Sequence, residues 1–188
     1  MPIVFLSPST QDWNPYVTGS GSEEYWMNRI VDAMEPYLRS NGIRYRRNDP
    51  DTSAAAAIRE ANSGYYDFYL ALHSNAIGNG SAQTSARGII AFYYPGSAGG
   101  QRGAELIAKN LREIYPLPDK VTTRPTTALG EVSRSRFPAV LVEIGYHDNY
   151  SDALWLESHV EDVARQNDVT RIRRVTLQLG EVSGVVES

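Results

Sequence analysis

Two apolar stretches of this chain each end in a side chain that can handle a proton or a metal ion. In Pro138-Ala-Val-Leu-Val-Glu143-Ile-Gly-Tyr-His147 the β-favouring run from Ala139 to Val142 reads as a buried strand that delivers Glu143 near its end. A carboxylate in such a strand is costly unless it is hydrogen-bonded, protonated or close to a cation. Phe68-Tyr-Leu-Ala-Leu-His73-Ser-Asn75 repeats the arrangement with an imidazole. A structural carboxylate and a satisfied core histidine would explain either residue alone. Together they predict one site at one edge of a sheet, suited to acid–base or metal chemistry.

Such a site needs strands to carry it. Ile3 to Ser7 reads as a first short strand, and a loop rich in Pro, Ser, Asn and Gly follows to Ser22. A helix is expected from about Glu23, with Met27, Ile30, Val31, Met34, Tyr37 and Leu38 at helical spacing. Ser20 with Glu23, or Ser22, would cap it. Pro36 should kink it or end it early, and Asn41-Gly42 is a stop signal. Ile43 to Arg47 reads as a strand. Asp51-Thr52-Ser53 can cap a helix through Ala54 to Ala61. Phe68 to His73 and Gly88 to Tyr94 read as strands, and Ser97 to Tyr115 as a helix ended by Pro116 and Pro118. A loop and a possible short strand lead to Ala139–Gly145, and Ser151 or Asp152 would cap a last helix carrying Leu154, Leu156, Val160 and Val163.

Alternating strands and helices predict an α/β fold: a single three-layer domain, with a mostly parallel twisted sheet and helices on both faces. Ligands of such sheets bind beyond the carboxyl ends of the strands, where His73 and Glu143 fall. The composition shifts after about Gln166. The expected organisation is therefore a domain over residues 1–166 and a divergent tail over 167–188 with an extra strand.

Bulk properties narrow the chemistry. The 188 residues carry 18 basic and 22 acidic side chains, so no basic face is implied and nucleic acid is not an expected partner. There are no cysteines, which removes thiolate catalysis and Cys-ligated zinc. Only His73, His147 and His159 can supply imidazole, and His159 reads as a solvated helix residue. No apolar run approaches the ~20 residues that a membrane span needs. The start, Met1-Pro-Ile-Val-Phe-Leu6, is not the pattern of a signal peptide. A P-loop is absent, Gly96–Gly103 lacks dinucleotide-binding spacing, and Gly180-Glu-Val-Ser-Gly184 is not a nucleophile elbow.

The order of four segments carries a resemblance. A capped helix opens on Glu23-Glu24. Leu72-His73-Ser-Asn75-Ala76, then Val140-Leu-Val-Glu143-Ile-Gly145, then the Asn149-Tyr-Ser-Asp152 turn follow it. Over roughly residues 3 to 165 the chain resembles the zinc-dependent N-acetylmuramoyl-L-alanine amidases of type 3, the catalytic domains of bacterial and phage cell-wall hydrolases. The resemblance implies hydrolysis of the amide between N-acetylmuramic acid and L-alanine in peptidoglycan. It also implies a Zn2+ cofactor and action on the bacterial cell wall, outside the cell or after release by lysis, as a lysin. Carried over by position, it implies Glu24 and His73 as zinc ligands, Glu143 as catalytic base and Asn75 beside the metal as a substrate contact.

One departure matters. The family has Asp-Pro-Gly-His-Gly after its first strand, whereas this chain has Ser7-Pro-Ser-Thr-Gln11-Asp12, so the first zinc histidine is missing. Catalytic zinc usually has three protein ligands plus water. Gln11 or Asp12 could offer an oxygen, and His147 could swing over the same edge. Imidazole suits zinc better than an amide oxygen, which favours His147 with Gln11 as its rival. Two accounts compete with these roles: first-turn glutamates favour a helix macrodipole in any case, and His147 could simply pack in its turn. The alternative function is a catalytically impaired, amidase-like module that has lost the metal and only binds peptidoglycan. Residues 169–186 separately resemble the opening strand of the small nickel-delivery proteins of hydrogenase maturation, without their metal-binding parts.

Overall fold

The structure, a computed structural model, describes residues 1–77 and 83–166. The tail over 167–188 and the strand expected in it lie outside the described residues. In chain order the elements are β1 (Ile3–Pro8), α1 (Glu23–Ser40), β2 (Arg44–Arg47), α2 (Ala54–Ser63), β3 (Phe68–Asn75) and β4 (Ile89–Tyr93). Then come α3 (Ala98–Leu111), a 3-10 turn (Pro118–Lys120), β5 (Val121–Pro125), α4 (Gly130–Ser133), β6 (Ala139–Tyr146), α5 (Tyr150–Ser158) and α6 (Val160–Gln166).

Among the described residues six strands form one sheet in the order β2-β1-β3-β6-β4-β5. Every neighbouring pair is parallel except β4 with β6. The period of two along the central strands sorts their side chains onto two faces. Val4 and Leu6, Leu70 and Leu72, and Val140 and Val142 join the larger core with residues of α1, α3, α5 and α6. Phe5, Tyr69, Ala71, Ala139 and Leu141 join a smaller one with Ala57 and Ala61 of α2 and Val132 of α4. This is the three-layer α/β arrangement expected from the alternation of elements.

Packing is tight where α3 crosses the sheet. A Cβ at Gly103 would come within 2.7 Å of the buried Phe68 ring. Only a residue without a side chain lets the helix come so near.

Some boundaries differ from expectation. α1 runs on through Pro36 to Ser40. Met34 and Leu38 are fully buried on either side of the proline, so packing holds the last turn despite the lost backbone donor. The regular part of α3 stops at Leu111, and residues 112–115 continue as hydrogen-bonded turns. Asn149, rather than Ser151 or Asp152, caps α5, accepting from both of their backbone amides. The last helix is two helices broken at His159, which is half-buried with its ring stacked on Trp155.

Candidate metal and acid–base site

β1, β3 and β6 are neighbours, and on their smaller-core face the sequence places Ser7, Tyr69, His73 and Glu143 in register. Tyr69 pairs with Ala139, and His73 pairs directly with Glu143. His73 therefore leaves the carboxyl end of β3 beside Glu143 on β6. Just beyond, the pairing shifts so that Asn75 meets Tyr146, with Gly145 at φ +74° in the irregular stretch. A glycine suits that left-handed backbone.

Both ring nitrogens of His73 face carboxylates. Nδ1 lies 2.9 Å from Glu23 Oε1, and Nε2 lies 2.7 Å from Glu131 Oε2. Glu23 comes from the first turn of α1, where Ser22 caps the helix by accepting from the Tyr25 amide. The Glu23 amide donates to the Asn14 carbonyl at 2.9 Å, and Asn14 Nδ2 donates to Glu23 Oε2 at 2.8 Å. Glu131 comes from α4. Its Oε1 accepts from Ser7 Oγ at 2.6 Å and from Tyr69 Oη at 2.8 Å. Gln11 Nε2 stands 3.5 Å from His73 Nδ1 and 3.4 Å from Glu23 Oε1, while its Oε1 accepts from Asn14.

The electrostatics follow from these contacts. Burial disfavours charge on the His73 ring, but the bonds to Glu131 and Glu23 outweigh it and hold the imidazole well above its ordinary range. Burial likewise works against the two carboxylates, and His73 more than compensates, so both Glu23 and Glu131 titrate below the usual range. Glu143 is different. Burial pushes its carboxyl up to about 7, with His73 pulling it down and Glu23 and Glu131 adding to the rise. Its Oε2 is buried and has no hydrogen-bond partner among the described residues. A carboxyl titrating near neutrality is suited to receive and return a proton. The site opens into a cleft of about 390 Å3, lined by Gln11, Ile58, His73, Glu131, Arg134 and Glu143.

The structure does not bring all the expected site residues together. Glu23, not Glu24, reaches His73; Glu24 Oε1 accepts from Asn28 one turn along the same helix. His147 is buried, but its Nδ1 is engaged by Ser74 Oγ and the Ser74 carbonyl, both at 3.1 Å, and its ring stacks on Tyr16. Ser74 follows His73 and, by strand alternation, points to the other face, so the sheet separates His147 from the cleft. Asn75 Oδ1 accepts from the next backbone amide, Ala76. Asp12 is exposed on the loop. Glu131 went unnoticed in the sequence because α4 is one short turn without periodicity. Its only signal was an acid set between Leu129 and Val132.

Among the described residues, no three His, Cys, Asp or Glu side chains are arranged to hold a metal ion. What is present is an imidazole nitrogen beside a carboxylate oxygen, a side-chain amide within reach of both, and the unpartnered oxygen of Glu143. Imidazole with oxygen donors is a donor set compatible with a divalent cation such as zinc.

The chain is 29% identical to the N-acetylmuramoyl-L-alanine amidase LytC of Bacillus subtilis (strain 168) over 168 residues, which is 87% of this chain and 33% of that protein. It thus spans about a third of that relative's length. The fold is shared with the amidase AmiC2 of Nostoc punctiforme, with TM-score 0.77, 16% identity, and 96% and 97% of the two chains covered. It is shared also with Ami1 of Mycobacterium smegmatis, with TM-score 0.76, 15% identity, and 94% and 97% covered. The sequence pattern of N-acetylmuramoyl-L-alanine amidase matches residues 10–170, a span that takes in Gln11, Glu23, His73, Glu131 and Glu143, and the chain belongs to that family.

Proposed function

We propose that this chain hydrolyses the amide between N-acetylmuramic acid and L-alanine in peptidoglycan, with a divalent cation, zinc, held by His73 and Glu23. Gln11 is the third donor once its amide turns its oxygen inward. Glu24 and His147 are not part of this ligand set. The observation that carries the reading is the buried, unpartnered Glu143 Oε2, one strand from His73 at the cleft floor.

The cation, when bound, supplies Lewis acidity: it lowers the pKa of water towards ~7 and offsets charge developing on the scissile carbonyl oxygen. Glu143 Oε2 takes the proton from the attacking water and returns it to the departing amine of L-alanine. Glu143 must therefore touch the water without ligating the ion, and a place on the strand beside His73 meets that need. Ile58 and Leu141 wall the cleft with apolar surface and limit bulk water. Asn75, at the exit of β3, contacts the substrate. The substrate places the protein's work at the bacterial cell wall. No described helix is long and apolar enough to cross a membrane.

Glu143→Gln is expected to keep one equivalent of zinc by elemental analysis. It should lower the release of new L-alanine amino groups from purified walls by about 100- to 10,000-fold, the usual worth of a general base. Retained turnover would refute the assignment.

A second reading, a peptidoglycan-binding module without metal, is favoured by the pairing of both His73 nitrogens with carboxylates. It predicts wall binding with no zinc uptake, so the metal content of protein purified without a chelator separates the two.

A further inference from the structure

Glu131 is buried, yet it faces three partners that leave it little freedom. Ser7 on β1 and Tyr69 on β3 both donate to its Oε1, and its Oε2 faces His73 Nε2. The Tyr69 ring is itself fixed by stacking on Phe5, with centroids 5.3 Å apart. Burying a carboxylate is tolerated when its oxygens are hydrogen-bonded and paired, as both of these are. The two sides of the His73 ring also differ. The Nδ1 side carries the Glu23 carboxylate and, at 3.5 Å, the Gln11 side-chain amide nitrogen, whose oxygen accepts from Asn14. The Nε2 side carries Glu131 with its other oxygen already shared by two hydroxyls.

We infer that Glu131 is a positioning residue: anchored by Ser7 and Tyr69, it accepts the Nε2–H of cation-bound His73 and so turns Nδ1 towards Glu23 and the cation. Histidines that ligate metals commonly donate their second ring N–H to a carboxylate, which fixes the ring and raises its basicity. The inference rests on the metal-dependent reading above and adds an assignment to it. Glu131 is on this account outside the ligand set, and Nδ1 rather than Nε2 is the ligating atom.

The test measures zinc affinity by chelator competition for the wild type, Glu131→Gln, Glu131→Ala and Tyr69→Phe, with circular dichroism as the check on folding. Imidazole 15N correlation spectra of the zinc-loaded wild type provide a second readout. Glu131→Ala should weaken zinc about 10- to 100-fold. Glu131→Gln should weaken it less, because an amide oxygen still accepts from Nε2–H. Tyr69→Phe should shift affinity in the same direction by a smaller factor. The spectra should show the His73 proton on Nε2 and the metal on Nδ1. Folded Glu131→Ala with wild-type affinity, or zinc on Nε2, overturns the inference while leaving the metal reading intact. If Glu131→Ala does not fold, Glu131→Gln and the wild-type spectra decide. A wild type that takes up no zinc overturns both.

Discussion

At the scale of single residues, the proposed cation site is tested most directly at position 11. The Gln11 amide already lies 3.5 Å from His73 Nδ1, on a loop pinned to α1 through Asn14 and Glu23. Gln11→His would put an imidazole where an amide now stands. It is expected to tighten zinc binding at least about 10-fold, given the preference of zinc for neutral imidazole; unchanged or weaker affinity by chelator competition would remove Gln11 from the ligand set. His73→Ala should lose zinc altogether, and a variant that keeps one equivalent would remove His73. The choice between Glu23 and Glu24 was legible in principle. Glu23 lies four residues before Met27 and seven before Ile30, on the stripe that α1 buries, whereas Glu24 is rotated off it. Motif order alone could not show this, because both are acids in the first turn.

At the scale of elements, the strands that deliver His73 and Glu143 were readable because each is a continuous apolar run of limited length. α4 was not, because a four-residue turn has no period to detect. α1 runs past Pro36 to the stop expected at Asn41-Gly42, and the regular part of α3 ends before Tyr115; packing around Pro36 and the anchoring of Tyr115 on Asp152 are tertiary features that no local pattern shows. The same dominance of packing over propensity makes a prediction at Gly103. Alanine favours a helix by about 1 kcal/mol over glycine. Its Cβ would meet the Phe68 ring at 2.7 and 2.8 Å, and overpacking of that kind costs about 1–3 kcal/mol. Gly103→Ala should therefore lower the denaturation midpoint, and a rise would show that α3 can move off the sheet.

At the scale of the whole molecule, one carboxylate ties distant parts together. Buried Asp152 accepts from Arg87 Nε at 2.7 Å, Tyr115 Oη at 2.6 Å, and the amides of Gly88 and Tyr146 at 3.0 and 3.1 Å. It thereby joins the approach to β4, the end of β6, the segment after α3 and the start of α5. Removing it leaves a cation, a hydroxyl and two amides without their acceptor. Asp152→Ala should cost about 3–5 kcal/mol in chemical denaturation, in line with breaking a buried ion pair by one partner. A loss below ~1 kcal/mol would mean that water replaces the carboxylate at little cost.

The margins of the sheet carry a different consequence. β2, at one border, reads Arg-Tyr-Arg-Arg, with Arg46 held by Glu60 and Arg47 by Asp32. β5, at the other, finishes on Arg124-Pro125, both exposed. Charge on one rim and a residue without an amide hydrogen on the other discourage a strand from a neighbouring copy from zipping on. Swapping Arg44 and Arg46 for valine should therefore lower the temperature at which turbidity appears on warming, and an unchanged onset would show that these charges do not guard the edge.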